Sequence, residues 1–176
     1  MRKYVLFFLL GFGVVKQGAA QLQIQASGSS VQFKVKNLGF NVPGSLTGLA
    51  GKIQYDPAQP EAASFDVTVD ATTINTDNGM RDDHLRGDSY FDVQHYPKIR
   101  LVSSKITQRK KGSYLFTGQL TIKKVTKDVS FPFTVTETGD AHRFQGSFTI
   151  NRRDYEVGGF STISDPVEVT LDVTAK

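Results

Sequence analysis

The chain has 176 residues, enough for one domain with a core of its own, and it contains no cysteine. That excludes disulfides, a thiolate nucleophile and a lipid anchor on cysteine. The formal charge of +4 at pH 7 is carried largely by the first twenty residues, where Arg2, Lys3 and Lys16 stand without a single acidic partner, so the remainder is near +1 and predicts no nucleic-acid partner.

Those first residues read as a separate element. Arg2-Lys3, the apolar run Tyr4 to Val15 and then Gly18-Ala19-Ala20 have the three parts of a secretory signal, and the run is well short of the roughly 20 residues that span a bilayer. The expectation is a cleaved signal peptide over residues 1–20, a periplasmic or secreted protein, and a single domain over 21–176.

From there on, apolar and polar residues alternate at period two, the pattern of strands with one dry and one wet face. In chain order the dry sets are Val31, Phe33 and Val35; a weaker run from Leu46 to Tyr55; Phe65, Val67 and Val69; a weaker run from Ile99 to Ile106; Tyr114, Phe116, Leu120 and Ile122; Val129, Phe131, Phe133 and Val135; Phe144, Phe148 and Ile150; and Val167, Val169, Leu171 and Val173. Turn residues at Arg109-Lys110-Lys111-Gly112 and Glu137-Thr138-Gly139-Asp140 predict hairpins, hence antiparallel neighbours. One segment breaks the pattern. Thr76 to Asp92 is a dense polar and aromatic insert, of the kind in which a rigid β scaffold carries its specific function.

Eight antiparallel strands close as a barrel or stack as a sandwich, and periodicity does not choose between them. Glycines inside strand patterns, at Gly48, Gly51, Gly118 and Gly146, favour the barrel, because strands that bend or approach other backbone need them. The apolar-in, polar-out polarity is the reverse of a membrane barrel. An interior of eight strands holds one small ligand, and ten residues such as Ser113 to Ile122, tilted near 40°, give a channel about 25 Å tall. Phenylalanines dominate the inward faces. Side chains expected to line the channel are Phe33, Val35, Phe65, Val67, Phe116, Leu120, Phe131, Phe133, Phe144, Phe148, Val169 and Leu171. The competing reading is that they simply pack on one another, as in any β core.

The succession Arg81-Asp82-Asp83-His84-Leu85-Arg86, Tyr90-Phe91-Asp92-Val93 and His95-Tyr96-Pro97-Lys98-Ile99 resembles the YceI-like family of exported lipid-binding proteins. Other segments agree in order: Ser30 to Val35, Gly118 to Ile122 with Val125-Thr126-Lys127, Asn151-Arg152-Arg153-Asp154-Tyr155, and Ser164-Asp165-Pro166-Val167. The one departure is Lys123-Lys124, where the family shows lysine and glycine. The resemblance implies an all-β fold, an eight-stranded antiparallel lipocalin-like barrel with a short capping helix in the 76–92 insert. It implies an isoprenoid lipid, of the polyisoprenoid quinone or prenyl phosphate type, as bound ligand, with no other cofactor and no metal.

Polar residues at the mouth carry two readings each. Arg81, Asp83, His84 and Arg152 are candidates for a lipid head group, but charges three or four apart also stabilise a short helix, and Arg152 with Asp154 also reads as a structural ion pair. Arg109-Lys110-Lys111 and Lys123-Lys124 with Lys127 are either contacts to anionic lipid, giving transient membrane-surface contact, or solubilising hairpin tips. His84, His95 and His142 lack the spacing of a metal site. The favoured function is a carrier or buffer of isoprenoid lipid without enzymatic activity. Its alternatives are an enzyme acting on such a lipid with His84 and Asp83 as acid and base, and a barrel without lipid that serves a structural or partner-binding role. Tail length, head group, oligomeric state and pathway are not encoded in these patterns.

Overall fold

The computed structural model describes residues 20–176, so the expected leader lies, apart from Ala20, outside the described residues. The eight predicted strand patterns all form strands, joined by one short extra: β1 (Ala20–Leu22), β2 (Ile24–Asn37), β3 (Phe40–Tyr55), β4 (Ser64–Asn75), β5 (Lys98–Lys110), β6 (Ser113–Ile122), β7 (Val125–Thr138), β8 (Ala141–Asn151) and β9 (Ile163–Ala175). Every pairing is antiparallel. Neighbours run β3-β2-β9-β8-β7-β6-β5-β4, and β4 pairs back onto β3, closing an eight-stranded barrel; β1 adds its three residues to β3. Among the described residues, no helix is long and apolar enough to cross a membrane.

Closure depends on β3, which pairs with β2 through residues 40–46 and with β4 through residues 50–54. Between Thr47 and Ala50 the register with β4 slips around Gly48 (φ +71°), and Gly51, just beyond, has a φ of +129°, values that side-chain-bearing residues rarely adopt. A Cβ on Gly51 would collide with the Asp66 carbonyl oxygen of β4. Gly118 works likewise across from the bulge between Ser103 and Lys105, where a Cβ would strike the Val102 carbonyl. Sharp bends at these places turn a sheet into a cylinder.

An up-and-down barrel puts alternate connections at opposite ends. One end carries the β2–β3, β4–β5, β6–β7 and β8–β9 connections, and the other the β3–β4, β5–β6 and β7–β8 turns. The first is the capped end. Its 76–92 insert forms the expected short helix, α1 (Gly79–Arg86), whose first turn is capped by the Asn78 carboxamide oxygen accepting from Arg81 N–H at 3.0 Å. Helix and strand are locked together by Asp82, buried and accepting from the Thr76 amide at 2.9 Å and its hydroxyl at 2.6 Å. Arg86 donates to the carbonyls of Thr72 and Ile74, both at 2.9 Å, so the helix is stitched to the end of β4. Leu85, Tyr90 and Phe91 then pack over the rim.

The opposite end is solid. Tyr55, Phe65, Tyr114, Phe133 and Phe144 meet edge-to-face or tilted, with ring centroids 5.3 to 6.3 Å apart, and the Tyr55 and Tyr114 hydroxyls pair at 3.1 Å. Burial and that hydrogen bond raise the Tyr55 phenol well above its ordinary pKa. The outer face is laced by Arg100–Asp66, Lys98–Asp70 and Arg143–Asp172 pairs at 2.6 to 2.8 Å.

These partners set an acid limit. Hydrogen bonds from Arg100, Lys98 and Arg143 hold Asp66, Asp70 and Asp172 below the usual carboxylate pKa. A depressed folded-state pKa contributes stability at pH above the unfolded value, lost as pH falls through the folded value. The unfolding free energy is therefore expected to hold level from neutral pH to about 5 and to fall below about 4. Urea titrations across that range should show the slope reduced in Asp172→Asn.

Candidate ligand-binding cavity

Above the aromatic floor the lumen is not filled. A cavity of about 530 Å³ opens toward the α1 end, within the ~300–1,000 Å³ usual for ligand sites. All twelve side chains named from sequence border it: Phe33 and Val35 from β2, Phe65 and Val67 from β4, Phe116 and Leu120 from β6, Phe131 and Phe133 from β7, Phe144 and Phe148 from β8, Val169 and Leu171 from β9. On β2, β8 and β9 the inward apolar side chains become more exposed toward the mouth, whereas on β4 and β6 Val69, Ile74, Leu120 and Ile122 stay buried there. Phe65, Phe116, Phe131, Phe133 and Phe144 are buried near the floor, whereas Phe33, Val35, Val67, Phe148, Val169 and Leu171 are only partly covered although they point inward. Toward the floor the phenylalanines pack on one another, while Phe33 and Phe148 stand beside open space. The expected channel running the full height is corrected to a blind cavity, because the rings of Tyr55 and Tyr114 close its lower end.

One wall is a ladder of rings. Phe116 stacks on Phe131 at 4.8 Å and Phe131 on Phe148 at 4.4 Å. Gly146 keeps that wall flat, since a Cβ there would press on Phe133 and Phe131 at 3.1 and 3.3 Å. The floor end of the ladder is greasy and fixed, the upper end greasy and open.

At the mouth, the polar candidates separate. Arg81 and His84 border the cavity, one turn apart on the same face of α1 as Leu85. Arg81 gives Nε and one Nη to Thr76 at 2.7 and 2.6 Å, which ties the guanidinium to the end of β4 beside the cavity. Asp83 is not there. It lies on the opposite face of α1, exposed, and its carboxylate takes Arg86 Nη1 at 2.9 Å, so the helical period that places His84 inward turns Asp83 out. Arg152 borders the cavity but is a staple: buried in the 3-10 turn Arg152–Tyr155, it donates to the carbonyls of Val157, Gly158, Gly159, Ile163 and Ser164 and to the Ser161 hydroxyl at 2.9 to 3.3 Å. Its ion-pair partner is Asp165 at 3.2 Å, not Asp154 as the sequence suggested. All its N–H groups are engaged by the loop it holds. Beside it, burial and then Asp154 push the Tyr155 phenol up to about 12.

Sequence reasoning missed part of the rim. Asn37, Val42, Asn78, Met80, Ser161, Thr162 and Ile163 border the entrance, and the Thr162 hydroxyl donates to Asn37 Oδ1 at 2.6 Å, tying two loops. Val42 and Leu46 do sit in a period-two pattern with Gly44 between them, obscured by Pro43. The lysines also separate: Lys110-Lys111 tip the floor end, whereas Lys123-Lys124 lie at the mouth end, with Lys123 in a left-handed conformation (φ 54°) and Lys124 paired to Glu156 at 3.1 Å. Among the described residues, no group of three or more His, Cys, Asp or Glu side chains is placed to hold a metal ion.

A closed eight-stranded barrel with an apolar interior and a helix at its entrance defines a lipocalin-like fold, and the YceI-like domain model matches residues 22–175; the chain belongs to the YceI-like family. The UPF0312 protein of Shewanella denitrificans is 29% identical over 169 residues, covering 89% of this chain and 88% of that protein. The crystal structure of BcnA from Burkholderia cenocepacia superposes with a TM-score of 0.83 at 27% identity, over 87% of this chain and 99% of that one. A polyisoprenoid binding domain from Saccharophagus degradans shares the fold, with a TM-score of 0.72 at 15% identity over 90% and 98% of the two chains.

Removing the Arg152 staple should be costly. Arg152→Met would leave several buried carbonyls unpaired and Asp165 with only Arg153 at 3.8 Å, and is expected to lower stability by about 3–5 kcal/mol in urea unfolding. Asp83→Ala, outside the cavity, should stay within about 0.5 kcal/mol of the parent.

Proposed function

We propose that this protein is a carrier or buffer for an isoprenoid lipid, of the quinone or prenyl phosphate type, whose tail fills the lumen. One observation carries the reading: inward-facing apolar side chains in the upper barrel, Phe33, Val35, Phe148, Val169 and Leu171, are left only partly covered, whereas a filled core would bury them. Such a surface lowers its free energy by taking an apolar chain. The polyisoprenoid class comes from family resemblance, and the name of the Saccharophagus degradans domain supports it. Arg81 and His84 are the side chains placed to meet a polar head at the entrance.

The energetics favour exchange over permanent capture. A tail of roughly forty carbons gains about 30 kcal/mol on leaving water at ~0.8 kcal/mol each, beyond the practical ceiling near 20 kcal/mol for non-covalent binding. Its usual surroundings are a bilayer, as apolar as the lumen, so transfer between the two is near balance. Exchange outside the cytoplasm is part of the proposal, resting on the signal-like residues 1–20. Catalysis by His84 with Asp83 draws no support from the geometry, since Asp83 faces Arg86 and solvent.

Native mass spectrometry of purified protein, with organic extraction of its contents, tests the proposal. A co-purifying long-chain isoprenoid is expected, and Val169→Trp, which places an indole in the upper lumen opposite Phe33 and Phe148, should reduce occupancy at least about tenfold with the melting temperature little changed. A reproducibly empty barrel that also refuses added quinone contradicts it.

A further inference from the structure

Among the described residues, four large apolar side chains are mostly exposed: Leu38, Phe40, Met80 and Phe160, from 70 to 94%. Scattered singly over a surface they would mean nothing. They are not scattered. Leu38 and Phe40 flank the β2–β3 tip, Met80 opens α1, and Phe160 lies in the β8–β9 connection, so all four stand at the capped end. Their chain neighbours Asn37, Val42, Asn78, Arg81, Ser161 and Thr162 border the cavity entrance, as does Met80 itself. The floor end has no counterpart.

We propose that this ring is a bilayer-insertion surface: the protein docks mouth-down on a phospholipid membrane, sinking Leu38, Phe40, Met80 and Phe160 into the interface. The proposal rests on the carrier reading above and names how the ligand gets in. Three separate segments supply the ring, which stands up around an opening instead of forming a groove that would grip a peptide. The occupant best matched to isolated protruding apolar groups is a fluid interface, into which amphipathic surfaces sink about 5–10 Å. Phe160 is backed by Arg153, whose guanidinium lies 4.6 Å from the ring centroid and pairs loosely with Asp165 at 3.8 Å, and Lys36 near Leu38 has no ion pair among the described residues, so cationic side chains stand beside the ring. The same end also carries Asp77, Asp83 and Asp88, and Lys124 is neutralised by Glu156, so attraction to anionic lipid is secondary to insertion. The Arg109-Lys110-Lys111 tip, at the far end, would face away from the membrane. A ligand leaving the bilayer under a docked mouth never exposes its tail to water, which is the step that hydration makes slow.

Phe40 and Phe160 do not border the cavity, which separates docking from binding. The test is co-sedimentation of the mature protein with phosphatidylcholine vesicles, with and without phosphatidylglycerol, alongside uptake of a long-tailed quinone from those vesicles and from detergent micelles. Phe40→Ser and Phe160→Ser are each expected to weaken vesicle binding by about tenfold, with the double variant near a hundredfold. Vesicle uptake should slow in step, micelle loading should match the parent, and added salt should change little. Unchanged vesicle binding in the double variant overturns the proposal, as does a stable dimer of the parent that Phe40→Ser dissociates, since the ring would then be a contact between copies. If the parent takes up no quinone even from micelles, the carrier reading fails, while the sedimentation series still decides docking by its own result.

Discussion

Closure of the sheet is the constraint from which the rest follows. Once β4 pairs back onto β3, eight inward apolar rows face a common axis, and the circumference set by eight strands fixes a radius that side chains of ordinary size only just span. Toward the floor, Tyr55, Tyr114, Phe133 and Phe144 meet across the axis; above them Val167, Val169 and Leu171 of β9, with Phe33 and Phe148 beside them, do not reach a partner and leave a void. The same strands thus supply both core and container. Gly51 and Gly118, beside the register slips of β3 and β5, hold this arrangement in place, because the close backbone approaches that bend the sheet tolerate no side chain there.

The two ends of the barrel do different work. The floor end is bounded by short hairpin turns and locked by edge-to-face rings and the Tyr55–Tyr114 hydrogen bond, which favours rigidity. The mouth end carries the two longest connections, each pinned by a buried polar residue: Asp82, with Arg86, ties α1 to β4, and Arg152 ties the 157–165 segment to the barrel. Arg81, itself tied to Thr76, and His84 border the lumen, while Phe40 and Phe160 stand outside it, and these are the side chains proposed for the head group and the membrane. Rigid bracing with freely presented tips is the economical way to build a site on loops.

Much of the fold was legible because alternation is a direct imprint of facing inward. All eight strands, the 109–112 and 137–140 hairpins and the glycine-marked bends follow from period and turn chemistry. What was not legible depends on distances between strands. Period two says that Tyr114 and Val169 both point inward, but not that one meets a ring across the lumen while the other meets space. The helix shows a limit of a different kind: proximity along the chain groups Arg81, Asp83 and His84, whereas a 100° step per residue sends Asp83 to the far side. Arg152 shows the limit of pairing by sequence neighbourhood, for its partner Asp165 lies across a loop that only the fold brings back.

The central claim is that a chain-like apolar ligand occupies the space above the aromatic floor. Intermolecular NOE spectroscopy on deuterated, methyl-labelled protein loaded with a protonated long-tailed quinone tests this directly. The account predicts contacts from the isoprenoid protons to Val35, Val169 and Leu171 methyls, fading toward the floor at Ile106. Contacts confined to outward-facing methyls, or none in the lumen while the quinone stays bound, would contradict it.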